Sequence, residues 1–280
     1  MRLLVTGAAG MLGHDVVAAA ERAGHDVVAL ARGDLDITDA GSVRAAVADA
    51  APDSIVNCAA WTDVDGAEGA EGAATEVNGN GTRHVAEAAA SAGSHLVHLS
   101  TDYVFDGAAS EPYLESDPVG PATAYGRSKL AGERLIDTRH AAIVRAAWLF
   151  GANGPNFAAT MLRLAGERDE VTVVDDQFGT PTYTRHLADG LLRVAERRCT
   201  GILHAHGPDS TSWFEFARAI FQATGADCAV LRGRTADLGR PAPRPLYSVL
   251  GTDRADSPGL PPWRDGLAAY LEETKVIEET

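Results

Sequence analysis

Short apolar runs alternate with amphipathic stretches along the first half of the chain. The apolar runs predict strands at Arg2 to Thr6, Asp26 to Ala31, Ser54 to Ala59, His95 to Ser100 and Ala141 to Ala147. Alanine and other apolar residues recur at helical spacing between them, which predicts helices at His14 to Ala23, Gly41 to Ala50, Gly81 to Ala92 and Ser128 to Thr138. Strands that alternate with helices pair in parallel through right-handed crossovers. The pattern therefore predicts an α/β fold with a doubly wound parallel sheet.

The alternation becomes less regular after about residue 150. Glycine-, proline- and asparagine-rich loops are predicted at 151–156, 175–184 and 240–245, and loops of this kind often carry ligand contacts. No composition shift marks a linker. We therefore expect residues 151–280 to form a smaller carboxyl-terminal region, built from insertions, that mainly binds substrate.

Composition narrows the class of protein. With 280 residues, 45% of them hydrophobic, the chain can bury one or two substantial cores. Its formal net charge of −15 opposes binding to nucleic acid or to an anionic membrane. The three cysteines lack the spacing of a disulfide framework or a zinc site. No basic segment with a long apolar run opens the chain, so a cytoplasmic protein is expected.

A glycine-rich turn, TGAAGMLG, directly follows the first predicted strand and opens a helix. Gly7 suits the sharp turn, Gly10 the close approach of a pyrophosphate and Gly13 the packing of helix on strand. Met11 and Leu12 would then present first-turn N–H groups to the phosphates. An ordinary turn is the alternative, which the strand before and the helix after disfavour. Residues 1–150 are therefore predicted to form a Rossmann-type NAD(P)-binding domain to which later segments return.

The end of the second predicted strand bears on cofactor choice, because an acidic residue there accepts from ribose hydroxyls whereas a basic one favours a 2′-phosphate. Arg32 at this position predicts NADPH, with NADH also possible; a solvated loop arginine is the alternative. Asp36 and Ile37 are expected to hold the adenine edge. Ala59 and Ala60 are small enough to admit the cofactor, although ordinary strand packing would also explain them.

A tyrosine and a lysine lie four residues apart in AYGRSKLAGE, so a helix places Tyr125 and Lys129 on one face. A tyrosine with an unperturbed pKa near 10 needs a nearby ammonium to exchange protons near neutrality. Lys129 supplies that charge and can bond the nicotinamide ribose. Thr101, after the fourth predicted strand, is expected to orient a substrate carbonyl; a turn-capping role is the alternative. Chance Tyr-x-x-x-Lys pairs are common, but this pair follows a dinucleotide turn.

These segments together resemble the extended short-chain dehydrogenase/reductases. The resemblance covers nearly the whole chain and rests on TGAAGMLG, DITD, NCAAWTDVDGAE, VNGNGT, HLSTDYVFDG, YGRSKLAGE, RAAWLFG, NFAATMLRLA and DQFGTPTY. It implies transfer of a hydride from NAD(P)H to C4 of a dTDP-4-keto-6-deoxyhexose, in the first instance dTDP-4-dehydro-L-rhamnose to give dTDP-L-rhamnose. Thr101, Tyr125 and Lys129 are catalytic by this resemblance, and Tyr125 delivers the proton.

The resemblance also extends the set of expected contacts. Thr62 falls at the cofactor, and Trp148 resembles an aromatic platform beside the sugar; core packing is its alternative. Arg244, in a proline-rich loop, suits a pyrophosphate clamp, a solvated loop charge being the alternative. The predicted substrate-binding residues are Val64, Thr101, Asp102, Tyr103, Trp148, Asn156, Gln177 and Arg244.

Two departures narrow the reaction. Dehydratases of this family carry an Asp-Glu pair after the strand-end threonine, whereas Asp102 and Tyr103 follow Thr101 here, which disfavours elimination. The reductase loop usually has Asn before and Arg after its serine. Here Tyr247 and Val249 flank Ser248, so a different nucleotide deoxysugar is an alternative substrate.

Arg185 and Asp15 bear on whether the protein binds a metal ion and forms a dimer. Some members bind magnesium at a dimer interface through glutamates, one of which aligns with Arg185 here. Asp15 matches another acidic position, yet a lone carboxylate is insufficient, so no metal is predicted. A monomer or weak homodimer is expected. A non-catalytic regulatory subunit, similar to the β subunit of methionine adenosyltransferase, is the alternative from another class, and intact Thr101, Tyr125 and Lys129 argue against it.

Overall fold

The computed structural model describes residues 1–278, with side chains as far as Lys275, so residues 279 and 280 of the predicted carboxyl-terminal region lie outside the described residues. The strands are β1 (Arg2–Thr6), β2 (Asp26–Leu30), β3 (Ser54–Asn57), β4 (His95–Thr101), β5 (Ala141–Ala146), β6 (Leu149–Phe150), β7 (Glu170–Val174), β8 (Phe178–Gly179), β9 (Thr182–Tyr183), β10 (Gly201–His204), β11 (Thr211–Ser212) and β12 (Ala229–Gly233). The α-helices are α1 (Met11–Arg22), α2 (Ala40–Ala50), α3 (Val64–Gly69), α4 (Glu71–Thr75), α5 (Thr82–Ala92), α6 (Ala124–Glu133), α7 (Phe157–Glu167), α8 (Thr184–Arg197), α9 (Trp213–Thr224) and α10 (Trp263–Glu278). A π-helical turn, Glu76–Gly81, joins α4 to α5, and short 3₁₀ helices cover Asp102–Val104 and Thr235–Asp237.

Six parallel strands form the central sheet in the order β2-β1-β3-β4-β5-β10. The chain leaves β1 towards β2 on one side and then crosses to β3 on the other. The strand order therefore reverses at β1 and β3, and a crevice opens at their carboxyl ends, which is where ligands bind in such sheets. The predicted doubly wound parallel sheet is confirmed.

Two apolar clusters sandwich this sheet. On one face, Val16 of α1 packs with Leu187 and Leu191 of α8 against the sheet. On the other, the cluster is formed by apolar side chains of α2 and α5, including Val43 and Val85. The alanine-rich surfaces of these helices allow close approach to the strands, and the glycine turn lies between the two clusters at the edge of the crevice.

The carboxyl-terminal half contributes both to the central sheet and to a separate apolar cluster. Helix α8 and strand β10 return to the central sheet, because β10 pairs with β5 and α8 packs on α1. The rest surrounds a separate cluster of apolar and aromatic residues from β6, α7, α9 and α10, including Phe150, Phe216 and Tyr270. None of the helices within residues 1–278 is both long and apolar enough to cross a bilayer.

Candidate active site

The glycine turn adopts a backbone that only small residues allow. Gly7 has φ +66°, and a Cβ there would lie 2.7 Å from the Ala59 nitrogen. A Cβ on Gly13 would lie 2.2 Å from the Gly7 carbonyl oxygen, so α1 can pack on β1 only with glycine here. Helix α1 begins at Met11, and its N-cap Gly10 gives it no side-chain cap. The first-turn N–H groups therefore face the crevice edge, the arrangement that suits a phosphate.

Residues expected at the adenine end follow β2 and β3. Arg32 is exposed beyond β2. The Asp36 carboxylate accepts from the backbone and hydroxyl of Thr38, which lowers its pKa. Ile37 is buried in the cluster under α2 and α5, and its carbonyl lies 3.1 Å from His84 Nδ1, so its side chain is not free to pack on an adenine ring. Ala59, next to Gly7, is half-buried.

The predicted tyrosine and lysine lie one helical turn apart on α6. This helix begins at Ala124, four residues before the predicted start, because Thr123 caps it by accepting from the Gly126 N–H at 2.9 Å. Burial raises the Tyr125 pKa, and the hydroxyl of Thr101 acts in the opposite direction. The structure thus brings Thr101, at the end of β4, to the phenol of Tyr125, as the sequence predicted.

Lys129 is buried beneath this pair. Its ammonium donates to the Leu99 carbonyl at 2.7 Å, which fixes the side chain against β4. Burial lowers the Lys129 pKa to about 8, although Glu133 and Cys58 act in the opposite direction. The charge of this lysine is therefore sensitive to pH near neutrality.

Thr101 and its neighbour Asp102 form a second buried pair. The Thr101 hydroxyl donates to Asp102 Oδ1 at 2.9 Å and accepts from the Tyr103 N–H at 3.2 Å. Burial raises the Asp102 pKa to about 6, while hydrogen bonding by Ser248 and Thr101 opposes the shift. Asp102 Oδ2 is buried and lacks a hydrogen-bond donor among the described residues, which adds to the cost of ionising this carboxyl.

Arg244 reaches back to the same edge of the sheet. Its guanidinium donates to the Tyr103 hydroxyl at 3.1 Å and pairs with Asp65 at 2.7 Å. The Tyr103 ring meets Tyr125 edge to face, with centroids 5.6 Å apart. A cavity of about 180 Å³ adjoins this group and is lined in part by Tyr103, Thr123, Arg244 and Leu246. Arg244, the predicted clamp, therefore bonds Tyr103, whose ring lies next to that of Tyr125.

Trp148 follows β5 with a left-handed backbone, φ +50°. Its ring stacks on Trp213 with centroids 3.6 Å apart and planes 5° from parallel. A Cβ on Gly179 would lie 2.3 Å from the Trp148 ring, so glycine is required there. The carbonyl of Trp148 accepts from the Thr182 N–H, which fixes the backbone. The indole is thus held as a rigid plate at the carboxyl edge of the sheet.

The two predicted amides are engaged within the chain, which corrects the expectation for one of them. The Asn156 amide donates to the Gly151 and Gly154 carbonyls and caps α7 by accepting from Ala159 N–H, so its role is structural. Its position before a helix, visible in the sequence, suited a cap. Gln177 is buried and donates to Thr235 at 3.0 Å, which leaves its carbonyl oxygen for other contacts.

The remaining predicted positions lie apart from these contacts. Thr62 is exposed after β3, and Val64 is half-buried at the first residue of α3, whose cap is Asp63. Arg185 pairs with Glu273 and lies 4.0 Å from Asp15. Among the side chains described, those of residues 1–275, no group of three or more His, Cys, Asp or Glu is arranged to hold a metal ion.

Three residues of this region were not singled out by the sequence. Asp65 holds Arg244, Trp213 stacks on Trp148, and His98 lies beside Lys129. Each of these residues is distant in the chain from the residue it contacts. No local pattern could therefore have identified Trp213 as the partner of Trp148. His98 carried one signal, a polar residue within an otherwise apolar buried strand.

Comparison with known proteins agrees with this arrangement. The family model described as the RmlD substrate binding domain matches residues 1–276. A protein of Streptomyces griseus named dTDP-4-dehydrorhamnose reductase is 49% identical, over 97% of this chain and 92% of its own. A dTDP-4-keto-6-deoxy-D-glucose reductase of Streptomyces niveus is 46% identical, over 97% and 96%.

A solved structure gives the same fold. The dTDP-4-dehydrorhamnose reductase of Bacillus anthracis, solved in complex with NADP, superposes with a TM-score of 0.94 at 37% identity, covering 97% of this chain and 99% of that one. Both the family model and relatives above 40% identity extend over almost the whole chain. On these grounds the chain is a member of the dTDP-4-dehydrorhamnose reductase family.

Proposed function

We propose that the protein catalyses the NADPH-dependent reduction of the C4 ketone of a dTDP-4-keto-6-deoxyhexose, in the first instance dTDP-4-dehydro-L-rhamnose to dTDP-L-rhamnose. The observation that carries the proposal is the meeting of Thr101, Tyr125 and Lys129 at the carboxyl end of β4. This group lies at the same edge of the sheet as the glycine turn. The names of the Streptomyces griseus relative and of the Bacillus anthracis complex support the reaction and the cofactor.

The residues present fit a nicotinamide dinucleotide. Gly7 and Gly13 allow the sharp turn and the close packing of α1 on β1, where any Cβ would clash with the backbone, and the first turn of α1 offers N–H groups to a pyrophosphate. Arg32 offers a positive charge beyond β2 to a 2′-phosphate. When bound, the reduced cofactor supplies the hydride. Residues 1–150, joined by α8 and β10, would hold it, and residues 151–280 would mainly bind the sugar nucleotide.

Tyr125 is the proton donor in this proposal. As C4 gains a hydride, negative charge develops on its oxygen, and the O–H bond of Tyr125 breaks to give that oxygen its proton. Thr101 orients the ketone by turning its hydroxyl hydrogen from Asp102 Oδ1 to the ketone oxygen. The Lys129 ammonium, one helical turn away, stabilises the phenolate that remains. The low dielectric around the buried Lys129 would strengthen its attraction for that phenolate.

The nucleotide half of the substrate meets Arg244 and Tyr103 in this proposal. A guanidinium can bond two phosphate oxygens at once, and Arg244 is already oriented by Asp65 and Tyr103. Trp148 provides an apolar plate for the deoxysugar ring. We further propose that the protein works as a monomer or weak homodimer in the cytoplasm.

A different dTDP-keto sugar is the second candidate substrate. Tyr247 and Val249 flank Ser248 in the loop that follows Arg244, where the reductases usually have Asn and Arg. The Streptomyces niveus relative is named for a different 4-keto sugar and is nearly as similar as the first. Comparison of kcat/KM for the two ketones separates these candidates, since the physiological substrate should be turned over at the higher value.

The test of the reaction is oxidation of NADPH, followed by absorbance, in the presence of each dTDP-4-keto sugar. We expect substrate-dependent oxidation in the native protein and a loss of at least about 100-fold in kcat for Tyr125→Phe. Tyr183→Phe is the matched control, because that phenol bonds Glu273 away from the catalytic group. Binding of NADPH without oxidation by any of the sugars would instead support a regulatory subunit.

A further inference from the structure

A row of polar side chains crosses the centre of the sheet. Thr6, Asn57 and His98 are aligned on the neighbouring strands β1, β3 and β4, with Thr6 opposite Asn57 and Asn57 opposite His98. Each is at most 2% exposed. Buried polar groups are costly unless they are paired, and this row is hydrogen-bonded from end to end. It leads from the glycine turn to Lys129.

The hydrogen bonds fix the orientation of the Asn57 amide. Its Oδ1 accepts from the Thr6 hydroxyl at 2.6 Å and from the Ala59 N–H at 3.2 Å. The Ala59 N–H can only donate, so the oxygen must face it and Nδ2 must face the other way. There, Asn57 Nδ2 lies 3.0 Å from His98 Nδ1. His98 Nδ1 is therefore the acceptor, and a neutral ring carries its hydrogen on Nε2.

His98 Nε2 faces the lysine. It lies 3.4 Å from Lys129 Nζ, whose other contact is the donation to Leu99 O. A lysine ammonium is a donor only and cannot accept a hydrogen bond, so an N–H directed at it disfavours the charged form of Lys129. The neutral amine has a lone pair that could accept that N–H. Burial lowers the His98 pKa well below its ordinary value, which keeps the ring neutral.

The other groups around Lys129 do not supply this effect. Cys58, after β3, has its pKa raised to about 12 by burial and is an uncharged thiol near neutrality. Glu133, on the same helix, is neutralised by Arg145 of β5. Tyr125 is a neutral phenol at this pH, because burial raises its pKa. His98 is thus the group that presents a donor to the amine.

We propose that Asn57 and His98 act as a tautomer lock: Asn57 holds the His98 hydrogen on Nε2, and that hydrogen positions the Lys129 amine and disfavours its charged form. His98 and Asn57 are positioning residues in this scheme, since they act through Lys129. The lock sets the pH at which Lys129 loses its charge. Its consequence for turnover rests on the proposed function, whereas the tautomer and the lysine titration are measured without substrate.

The sequence makes the titration unusually direct, because Lys129 and Lys275 are the only lysines among 280 residues. In the Lys275→Arg background, protein labelled with ¹³C-lysine gives a single side-chain signal. Lys275 is exposed on α10, far from the described site, so its replacement should leave activity unchanged. Nitrogen-15 spectra of labelled histidine give the His98 tautomer, with the signal assigned by its loss in His98→Leu.

Asn57→Asp should reverse the His98 tautomer. A carboxylate can only accept a hydrogen bond, so it favours a hydrogen on His98 Nδ1. His98 Nε2 then becomes an acceptor for the Lys129 ammonium. We expect the native ring to carry its hydrogen on Nε2, and the Lys129 pKa to rise by about one unit in Asn57→Asp. With substrate, the basic limb of the kcat/KM profile should move upward by the same amount.

The negative charge of the new carboxylate also raises the Lys129 pKa directly. The same substitution in a His98→Leu background separates this direct effect from the effect of the tautomer. In His98→Leu, Asn57→Asp retains the charge without the imidazole, so a lock predicts a clearly smaller rise there. A native His98 with its hydrogen on Nδ1, or an equal rise in both backgrounds, overturns the proposal. The His98 ring signal can also be assigned through its bonds to the backbone in the native protein, so a substitution that fails to fold does not remove the tautomer test. Absence of turnover would count against the proposed function alone.

Discussion

Arg145 and Glu133 form a two-point ion pair between β5 and the end of α6. The guanidinium donates from Nε to Oε1 at 3.0 Å and from Nη2 to Oε2 at 2.7 Å, and both side chains are almost completely buried. The Ser100 hydroxyl donates to the same carboxylate. Strands β4 and β5 are thus tied to α6, which carries Tyr125 and Lys129.

Glu133→Gln should destabilise the protein strongly, because it leaves the buried guanidinium of Arg145 without its counter-charge. We expect a loss of about 3–5 kcal/mol in the free energy of unfolding, measured by urea denaturation. The matched control is Glu167→Gln, which breaks the exposed pair with Arg163 and should cost no more than about 1 kcal/mol. Equal losses in the two variants would contradict the structural role of the buried pair.

We expect the rate of reduction to fall at high pH, because Lys129 loses its charge there. Its pKa is lowered to about 8 by burial, so the ammonium is present below that pH and is lost as pH rises through it. The kcat/KM for the keto sugar should therefore fall about tenfold per unit above pH 8. In Lys129→Arg the activity should be lower, but this limb should disappear, because a guanidinium keeps its charge. A limb that persists unchanged in that variant would assign it to another group.

We expect the stability of the folded protein to fall as pH rises, because Asp102 is buried. Burial raises its folded-state pKa to about 6 from an ordinary value of 3.8. The folded state therefore holds the proton more tightly, and its contribution to stability is lost as pH rises between these values. Asp102→Asn should be more stable than the native protein at pH 7, by up to about 3 kcal/mol, and should lose this advantage below pH 4.

Asp106→Asn is the matched control for that measurement. Hydrogen bonds from Tyr113 and Ala108 lower the Asp106 pKa, so its carboxylate stabilises the fold at neutral pH. The change should therefore act in the opposite direction. Thermal unfolding of both variants across the pH range provides the comparison, and a destabilised Asp102→Asn at pH 7 would contradict the assignment.

Trp213 should affect substrate binding through Trp148. The two rings stack at 3.6 Å, so Trp213→Ala removes the support of the proposed sugar platform. An aromatic pair contributes about 0.5–1.5 kcal/mol beyond burial, which corresponds to a rise in KM of about 2- to 10-fold. Trp213→Phe should retain most of the stacking and stay near the native KM. A fall in kcat without a change in KM would place Trp213 outside substrate binding.

The sequence predicted the sheet and the shared helix of Tyr125 and Lys129 because both features depend on local pattern. Strands β1 to β5 lie within two residues of the predicted ranges, and Tyr125 and Lys129 share a helix face, since apolar periodicity and helical spacing decide these features. Helix α6 begins earlier than predicted because the cap at Thr123, not apolar periodicity, sets its start. The predicted helix at Gly81 is also preceded by a π-helical turn.

The contacts that orient the site could not be predicted in the same way. Trp148 with Trp213, Arg244 with Asp65, and Asn57 with His98 each join distant segments. Such pairs depend on strand order and on loop paths, which a single sequence does not specify. Asn156 shows the reverse error, because a residue type suited to a ligand was already committed to capping α7.

The central claim is hydride transfer to C4 of a dTDP-4-keto-6-deoxyhexose with a proton from Tyr125. The most direct measurement uses NADPH deuterated at the transferring position of the nicotinamide, followed by NMR of the sugar product. We predict one deuterium at C4 in the native protein, and a greatly slowed appearance of the same product with Tyr125→Phe. Deuterium at another carbon, or native rates with Tyr125→Phe, would contradict the account.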